Sequence, residues 1–212
     1  MISMAFLFDL FSVLGTVAFA LSAVLAARGR QVDLFTILVL ATVTAVGGGT
    51  IRDTLLDVPI FWAEDTSYLW IAGVSAMLGF FFYTLLDRRY LNMLYQAVDS
   101  VAIALFGVLG TTKAWELGFG LPLGPVILGV ITATGGGVVR DVLLQRPSML
   151  LGKELYIVPV ALGCTLHAGF LALAPQHAEL GALLAIALVL VLRYGTLRRH
   201  WSVPQWGQLK LK

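Results

Sequence analysis

Residues 44–59 read TAVGGGTIRDTLLDVP, and residues 132–147 read TATGGGVVRDVLLQRP. The stretches lie 88 positions apart and share ten of sixteen residues, among them the glycine triplet, the Arg-Asp pair, Leu-Leu and the closing proline. Glycine costs a helix interior about 1 kcal/mol relative to alanine, and an ionisable side chain is expensive in lipid. Both features recur inside apolar runs. Whatever the first stretch does, the chain does twice.

The surrounding sequence explains why lipid enters the argument. Of 212 residues, 59% are hydrophobic and 12% charged, with a net charge of +2 and a mean hydropathy of +0.91. A soluble domain carries about 25% charged residues, so too few polar groups are present to cover a water-facing surface. The small net charge gives no sign of a nucleic-acid partner. A single cysteine, Cys164, excludes an internal disulfide.

A helix needs about 20 mostly apolar residues to cross a bilayer. Seven segments qualify, at residues 6–27, 34–56, 68–86, 93–112, 121–144, 155–173 and 180–192, the last extending through Tyr194. Asp33 is placed to cap the second helix, and Pro122 to start the fifth. The first segment lacks a basic leader, carries Asp9, and resembles the mid-chain segment beginning at Asp99. It reads as part of the mature protein rather than as a signal peptide.

Loop cations set the orientation. Arg28, Arg30, Arg88, Arg89, Arg146, Lys153, Arg193, Arg198, Arg199, Lys210 and Lys212 fall on one side, and Lys113 alone on the other. That places the N-terminus outside and the C-terminus in the cytoplasm. Aromatic residues near the segment ends, such as Trp62, Tyr68, Trp70 and Trp115, fit interfacial belts.

Three crossings separate the two copies of the repeat, so the second enters the membrane from the opposite face. The expected fold is an all-α membrane protein with an inverted repeat of two three-helix bundles. Residues 1–90 form the first, 91–175 the second and 176–196 a seventh helix, followed by a basic cytoplasmic tail, 197–212, held by anionic headgroups. Solute pathways in such architectures run at the repeat interface, often on interrupted helices. The triplets Gly47, Gly48, Gly49 and Gly135, Gly136, Gly137 fall near the middle of helices two and five. Kinks there would free carbonyls that, with the hydroxyls of Thr44, Thr50, Thr132 and Thr134, replace part of a cation's hydration shell. The alternative is that the glycines let two helices pack closely; both roles can hold together.

Arg52/Asp53 and Arg140/Asp141 follow the triplets. Cross-repeat pairs would bridge opposite leaflets, so local partners are expected: each Asp near the start of an outer half-helix, each Arg on carbonyls at the kink. A salt bridge locking the kink and a charge at a pore mouth are both open readings. Lys113 is either a voltage-responsive charge at the outer mouth or a snorkelling lysine. His167 is either a titrating pathway group or a hydrogen-bonded packing residue. Asp9 and Asp99 read as helix caps. No dinucleotide or phosphate-loop motif is complete, and no His/Cys cluster has metal-ligand spacing, so neither an enzyme nor a resident metal or cofactor is expected.

Seven apolar segments, a repeat of three helices and the doubled GGGTIRD/GGGVVRD resemble the prokaryotic branch of the trimeric intracellular cation (TRIC) channels, many of which are catalogued under a glycine-transporter domain name. The resemblance extends to about Gly195. It implies a homotrimer in a bacterial or archaeal plasma membrane, each subunit with its own pore narrowed at the two glycine-kinked helices. The permeant ions would be monovalent cations, chiefly potassium, with sodium as the other candidate. The basic motif by which animal members bind an inositol lipid is absent after the first triplet. A secondary transporter of a small solute such as glycine is the competing reading, since inverted repeats serve carriers as well. The scarcity of charged residues along the segments, with no carboxylate pair suited to proton coupling, favours the channel.

Overall fold

The computed structural model of the chain describes residues 4–83, 88–152, 155–199 and 201. Eight α-helices are found among them: α1 Met4–Ala26, α2 Leu34–Leu55, α3 Phe61–Glu64, α4 Ser67–Tyr83, α5 Arg88–Glu116, α6 Gly124–Leu143, α7 Ile157–Leu173 and α8 Ala178–Arg199. Five of these helices are long and apolar enough to cross a membrane, and the apolar helices Ser67–Phe82 and Ile157–Leu173 are shorter. The segment expected at 180–192 is longer than its hydropathy core, because α8 carries its helix through Thr196 to Arg199. Lys153, Lys210 and Lys212 of the orientation count, and all of the expected tail beyond Arg199 except Trp201, lie outside the described residues.

Local sequence explains the helix ends. The Asp33 carboxylate accepts the Thr36 N–H at 2.7 Å, the expected N-cap of α2. That bond holds the Asp33 carboxyl below its usual range. A group with a lowered pKa contributes stability above its unfolded value and loses it as the pH falls through the folded one. Asp33→Ala should therefore lower the unfolding temperature slightly at neutral pH, and the difference should vanish in acid. Pro122 is not the helix start. Helix α6 begins at Gly124 with Pro125 in its first turn, where a missing N–H is harmless.

The repeat extends to the backbone. Leu56 and Leu144 close α2 and α6 by donating to Arg52 and Arg140 carbonyls at 3.0 Å each. The next residues, Asp57 and Gln145, take left-handed φ values of 53° and 47°, the conformation that commonly ends a helix. Packing repeats as well. Helix α1 packs on α2 and α4, α5 packs on α6 and α7, and the seams between the halves are α1 with α5 and α2 with α6. In the first seam the Phe19 and Phe106 rings stack at 5.2 Å, with Gly15 making room for Phe106. Alanines 41, 45, 72, 76, 102, 133 and 185 are all fully enclosed, as expected of membrane helices that gain from close approach rather than from hydrophobic exclusion.

Neither helix is interrupted at its glycines: α2 and α6 run through both triplets. Glycine lacks a side chain but keeps its N–H and C=O, and in an apolar setting an unmade backbone bond costs several kcal/mol. That cost outweighs the weak helix propensity.

Candidate functional site

The triplets meet at the α2–α6 seam. A Cβ placed on Gly48 would overlap the Thr132 carbonyl, and one on Gly136 would overlap the Thr44 carbonyl. Thr132 and Gly136 are Thr44 and Gly48 shifted by 88, so the contact is reciprocal. Gly47 faces the Gly136 backbone across 3.6 Å and Gly135 approaches Gly48 Cα at 3.3 Å, both measured from an added Cβ. The outer members turn away from the seam: Gly49 accommodates the Phe61 ring and Gly137 lies beside Arg140 and the Tyr156 hydroxyl. The hydroxyls of Thr44, Thr50, Thr132 and Thr134 each donate to the carbonyl four residues back, at 2.6 to 2.8 Å. Thr50 also accepts the Trp62 indole N–H at 2.9 Å.

The Arg-Asp pairs find local partners as expected, but not the expected ones. Each arginine Nε donates to the neighbouring aspartate, at 2.8 Å for Arg52–Asp53 and 3.0 Å for Arg140–Asp141. Their partners are carboxylates and hydroxyls rather than kink carbonyls, because no carbonyl is released by an unbroken helix. Asp53 and Asp141 sit in the last turns of α2 and α6, not at the start of an outer half-helix. Their second oxygens reach forward eight residues. Asp53 accepts the N–H of Phe61, the first residue of α3, at 3.0 Å. Asp141 accepts the N–H of Met149, the first residue of a short 3₁₀ turn, at 3.2 Å. One carboxylate thus ties the end of one element to the start of the next, in both halves.

The two pairs differ in what surrounds them. At the Asp53 end, Lys113 from α5 places Nζ 2.8 Å from Asp53 Oδ1, with its side chain one-third exposed. Lys113 is thus an ion-paired residue, whichever of its two expected roles it serves. A cavity of about 260 Å³ opens beside it, walled by α1 to α5, with Arg52, Lys113, Glu116, Phe61, Tyr68 and Thr112 among its lining. The Arg52 guanidinium lies 5.6 Å from the Phe61 ring.

At the opposite end Arg140 is fully buried. Its Nη1 donates to Asp99 Oδ1 at 2.7 Å and to Ser22 Oγ at 2.9 Å, and the Tyr156 hydroxyl donates to Asp99 Oδ2 at 2.9 Å. Asp99 is therefore not a helix cap: it lies inside α5, fully enclosed, as the counter-ion of Arg140. Asp9 is no cap either, since it sits exposed in the second turn of α1. The Tyr95 ring collects the guanidinium groups of Arg28, Arg140 and Arg146 at 6.0, 5.0 and 4.8 Å. Arg193, counted among loop cations from sequence, is buried in α8. It donates to Ser100 Oγ at 3.2 Å and lies over Tyr156 at 4.9 Å. A second, larger depression of about 610 Å³ lies at this end, between the start of α2 and the end of α6, rimmed by Arg30, Gln31 and Gln145. His167 is buried with Nε2 2.8 Å from the Thr112 hydroxyl.

Sequence reading missed Asp99, Tyr156, Ser22 and Tyr95 as members of this network. The signal for Asp99 was its place inside an apolar segment, where ionisable groups face protein partners.

The sequence model of the Glycine transporter family matches residues 9–84 and 96–172, one match in each half. The chain is 37% identical over 196 residues to the UPF0126 inner membrane protein YadS of Escherichia coli strain K12, covering 92% of this chain and 94% of YadS. Its fold matches the TRIC trimeric intracellular cation channel orthologue from Rhodobacter sphaeroides with a TM-score of 0.86 and 31% identity, over 92% of this chain and 99% of that one. A prokaryotic TRIC channel determined in 0.5 M KCl gives the same TM-score at 26% identity, over 94% and 100% of the two chains. With both halves matched by the family's model and a shared fold along almost its whole length, the chain belongs to the glycine-transporter (UPF0126) family of membrane proteins, the family of the prokaryotic TRIC channels.

Proposed function

We propose that this protein is a monovalent cation channel, permeable to potassium, with a pore in each subunit of a homotrimer. The observation that carries the reading is the fold match to TRIC channels over nearly the full length of both chains. Seven crossings in two inverted three-helix repeats, with the N-terminus outside in a bacterial or archaeal plasma membrane, complete it. The reciprocal Gly48–Gly136 contact supports the inversion, because contacts in which i meets j and j meets i are those of a two-fold axis.

The glycines act here as a close crossing rather than as breaks. Backbone contact between α2 and α6 leaves no passage directly between them, so ions run beside the crossing on the side facing α1 and α5. The cavity lined by Arg52 and Lys113 is the outer mouth, and Thr44 and Thr132 mark the constriction. Membrane lipids cover the apolar outer faces. Discrete unitary potassium currents from purified protein in planar bilayers are the expected result. Saturable, coupled glycine uptake without such currents would instead establish the carrier reading that the family's description suggests.

A further inference from the structure

The surroundings of Arg140 provide a template for those of Arg52. In the second half the guanidinium meets two carboxylates: Arg140 Nε donates to Asp141 and Nη1 to Asp99, whose other oxygen accepts the Tyr156 hydroxyl. The repeat offset of 88 turns Arg140, Asp141 and Tyr156 into Arg52, Asp53 and Tyr68. The first half therefore repeats the arginine, its neighbouring aspartate and the tyrosine, but supplies no second carboxylate to the arginine. Arg52 Nε donates to Asp53, and its two terminal amino groups have no hydrogen-bond acceptor among the described residues. The residue is only 6% exposed, and it lines the cavity together with Tyr68. Phe61 ties the two in place: its ring centroid lies 5.6 Å from the Arg52 guanidinium carbon and 5.1 Å from the Tyr68 ring centroid. From α1 the wall receives Phe8 and Ser12, neither of them a carboxylate. Lys113 Nζ and Arg52 Nε bond the same Asp53 oxygen, each at 2.8 Å, so one carboxylate serves two cations. Glu116, the carboxylate in the lining, is exposed and pairs with neither cation among the described residues.

We infer that this cavity binds a carboxylate anion, seated on Arg52 and Tyr68 as the Asp99 side chain is seated on Arg140 and Tyr156. One oxygen accepts from the terminal amino groups of Arg52 and the other from the Tyr68 hydroxyl. The Lys113 ammonium, with one of its three protons on Asp53, adds a second positive charge. A guanidinium is a planar fork matched to the two oxygens of a carboxylate, whereas a halide offers a single atom to donors that the second half bridges with two. The anion supplies the negative charge that a nearly enclosed arginine needs when its aspartate is shared. The cavity is open to one side, so the recognised unit is the carboxylate group itself. The inference rests on the geometry of the cavity and not on permeation, and holds for a channel and a carrier alike.

The test follows thermal unfolding of the purified full-length protein while potassium formate replaces potassium chloride at constant potassium. Formate should raise the unfolding temperature saturably, as a ligand of the folded state does. Tyr68→Phe should weaken formate binding by about two- to tenfold, the scale of one hydrogen bond, and Arg52→Gln should remove it. Where Arg52→Gln does not fold, Lys113→Met replaces it and should weaken binding in the same direction. Ser12→Asp builds a carboxylate into the wall from α1, and should raise the unfolding temperature in chloride while abolishing the response to formate. Stabilisation by formate no greater than by chloride would overturn the inference. So would a formate response that survives both Tyr68→Phe and Lys113→Met, or one left unchanged by Ser12→Asp.

Discussion

Gly48→Ala and Gly136→Ala should each destabilise the protein by about 2 kcal/mol, where a glycine-to-alanine change in a helix ordinarily stabilises by up to about 1 kcal/mol. The reversal follows from the identity of the neighbour. The atom an added methyl would meet is a backbone carbonyl oxygen, of Thr132 in one case and Thr44 in the other. A side chain could rotate away; a helix backbone moves only as a whole, and overpacking of this kind costs about 1–3 kcal/mol. The same triplet supplies its own control, since Gly47 has ordinary contact with Gly136 at 3.6 Å and nothing else within reach. Gly73, with nothing within 4 Å, provides a second. Unfolding midpoints of the four single variants decide the matter. If Gly48→Ala is as benign as Gly73→Ala, the helices do not cross this closely. Because both substitutions push apart one seam, the double variant should fall short of the sum of the singles. Gly48→Leu, with a larger side chain on the same spot, should abolish potassium flux.

That result also separates what the sequence disclosed from what it hid. The membrane class, five of the seven helix spans to within a turn and the doubled motif were readable because each is carried by contiguous residues; α5 and α8 run more than a turn beyond their expected bounds. Asp33 was readable as a cap for the same reason. The meaning of the glycines was only half readable. Propensity marks them as weak points in a helix, but the choice between bending and close packing depends on the facing helix, 88 residues away. The Arg140 network was hidden more deeply. It assembles Ser22, Asp99, Arg140 and Tyr156 from four helix regions, and no spacing rule connects them. Arg193 was misassigned because a charged residue near the end of an apolar segment looks like a loop cation. Its burial against Tyr156 and Ser100 comes from α8 packing on α5 and α7.

Asp99→Asn should be among the most damaging single substitutions in the chain, costing about 3–5 kcal/mol, while Asp53→Asn costs less than half of that. Each removes a carboxylate from a buried arginine, and Arg140 keeps a second one, Asp141, where Arg52 keeps none. Access to water outweighs that difference. Asp99 and Arg140 are both fully enclosed, so the charge left behind on Arg140 has only Asp141, which also faces Arg146 at 3.7 Å. The Tyr156 hydroxyl, which donates to Asp99, would meet an amide that accepts on one side only. At the other end Lys113 is one-third exposed and Arg52 borders a cavity, so solvent and counter-ions replace part of what Asp53 supplied. Asp53→Asn should therefore act mainly on conduction, by leaving two unneutralised cations in the mouth and lowering unitary potassium current. Asp99→Asn should act mainly on folding. Unfolding midpoints and single-channel amplitudes measured on both variants distinguish the roles. A second substitution makes the cause explicit: Arg140→Met combined with Asp99→Asn should recover part of the lost stability, because the penalty is the stranded charge rather than the missing bond. Recovery is excluded if Asp99 matters only for its shape, in which case the double variant is no better than Asp99→Asn alone.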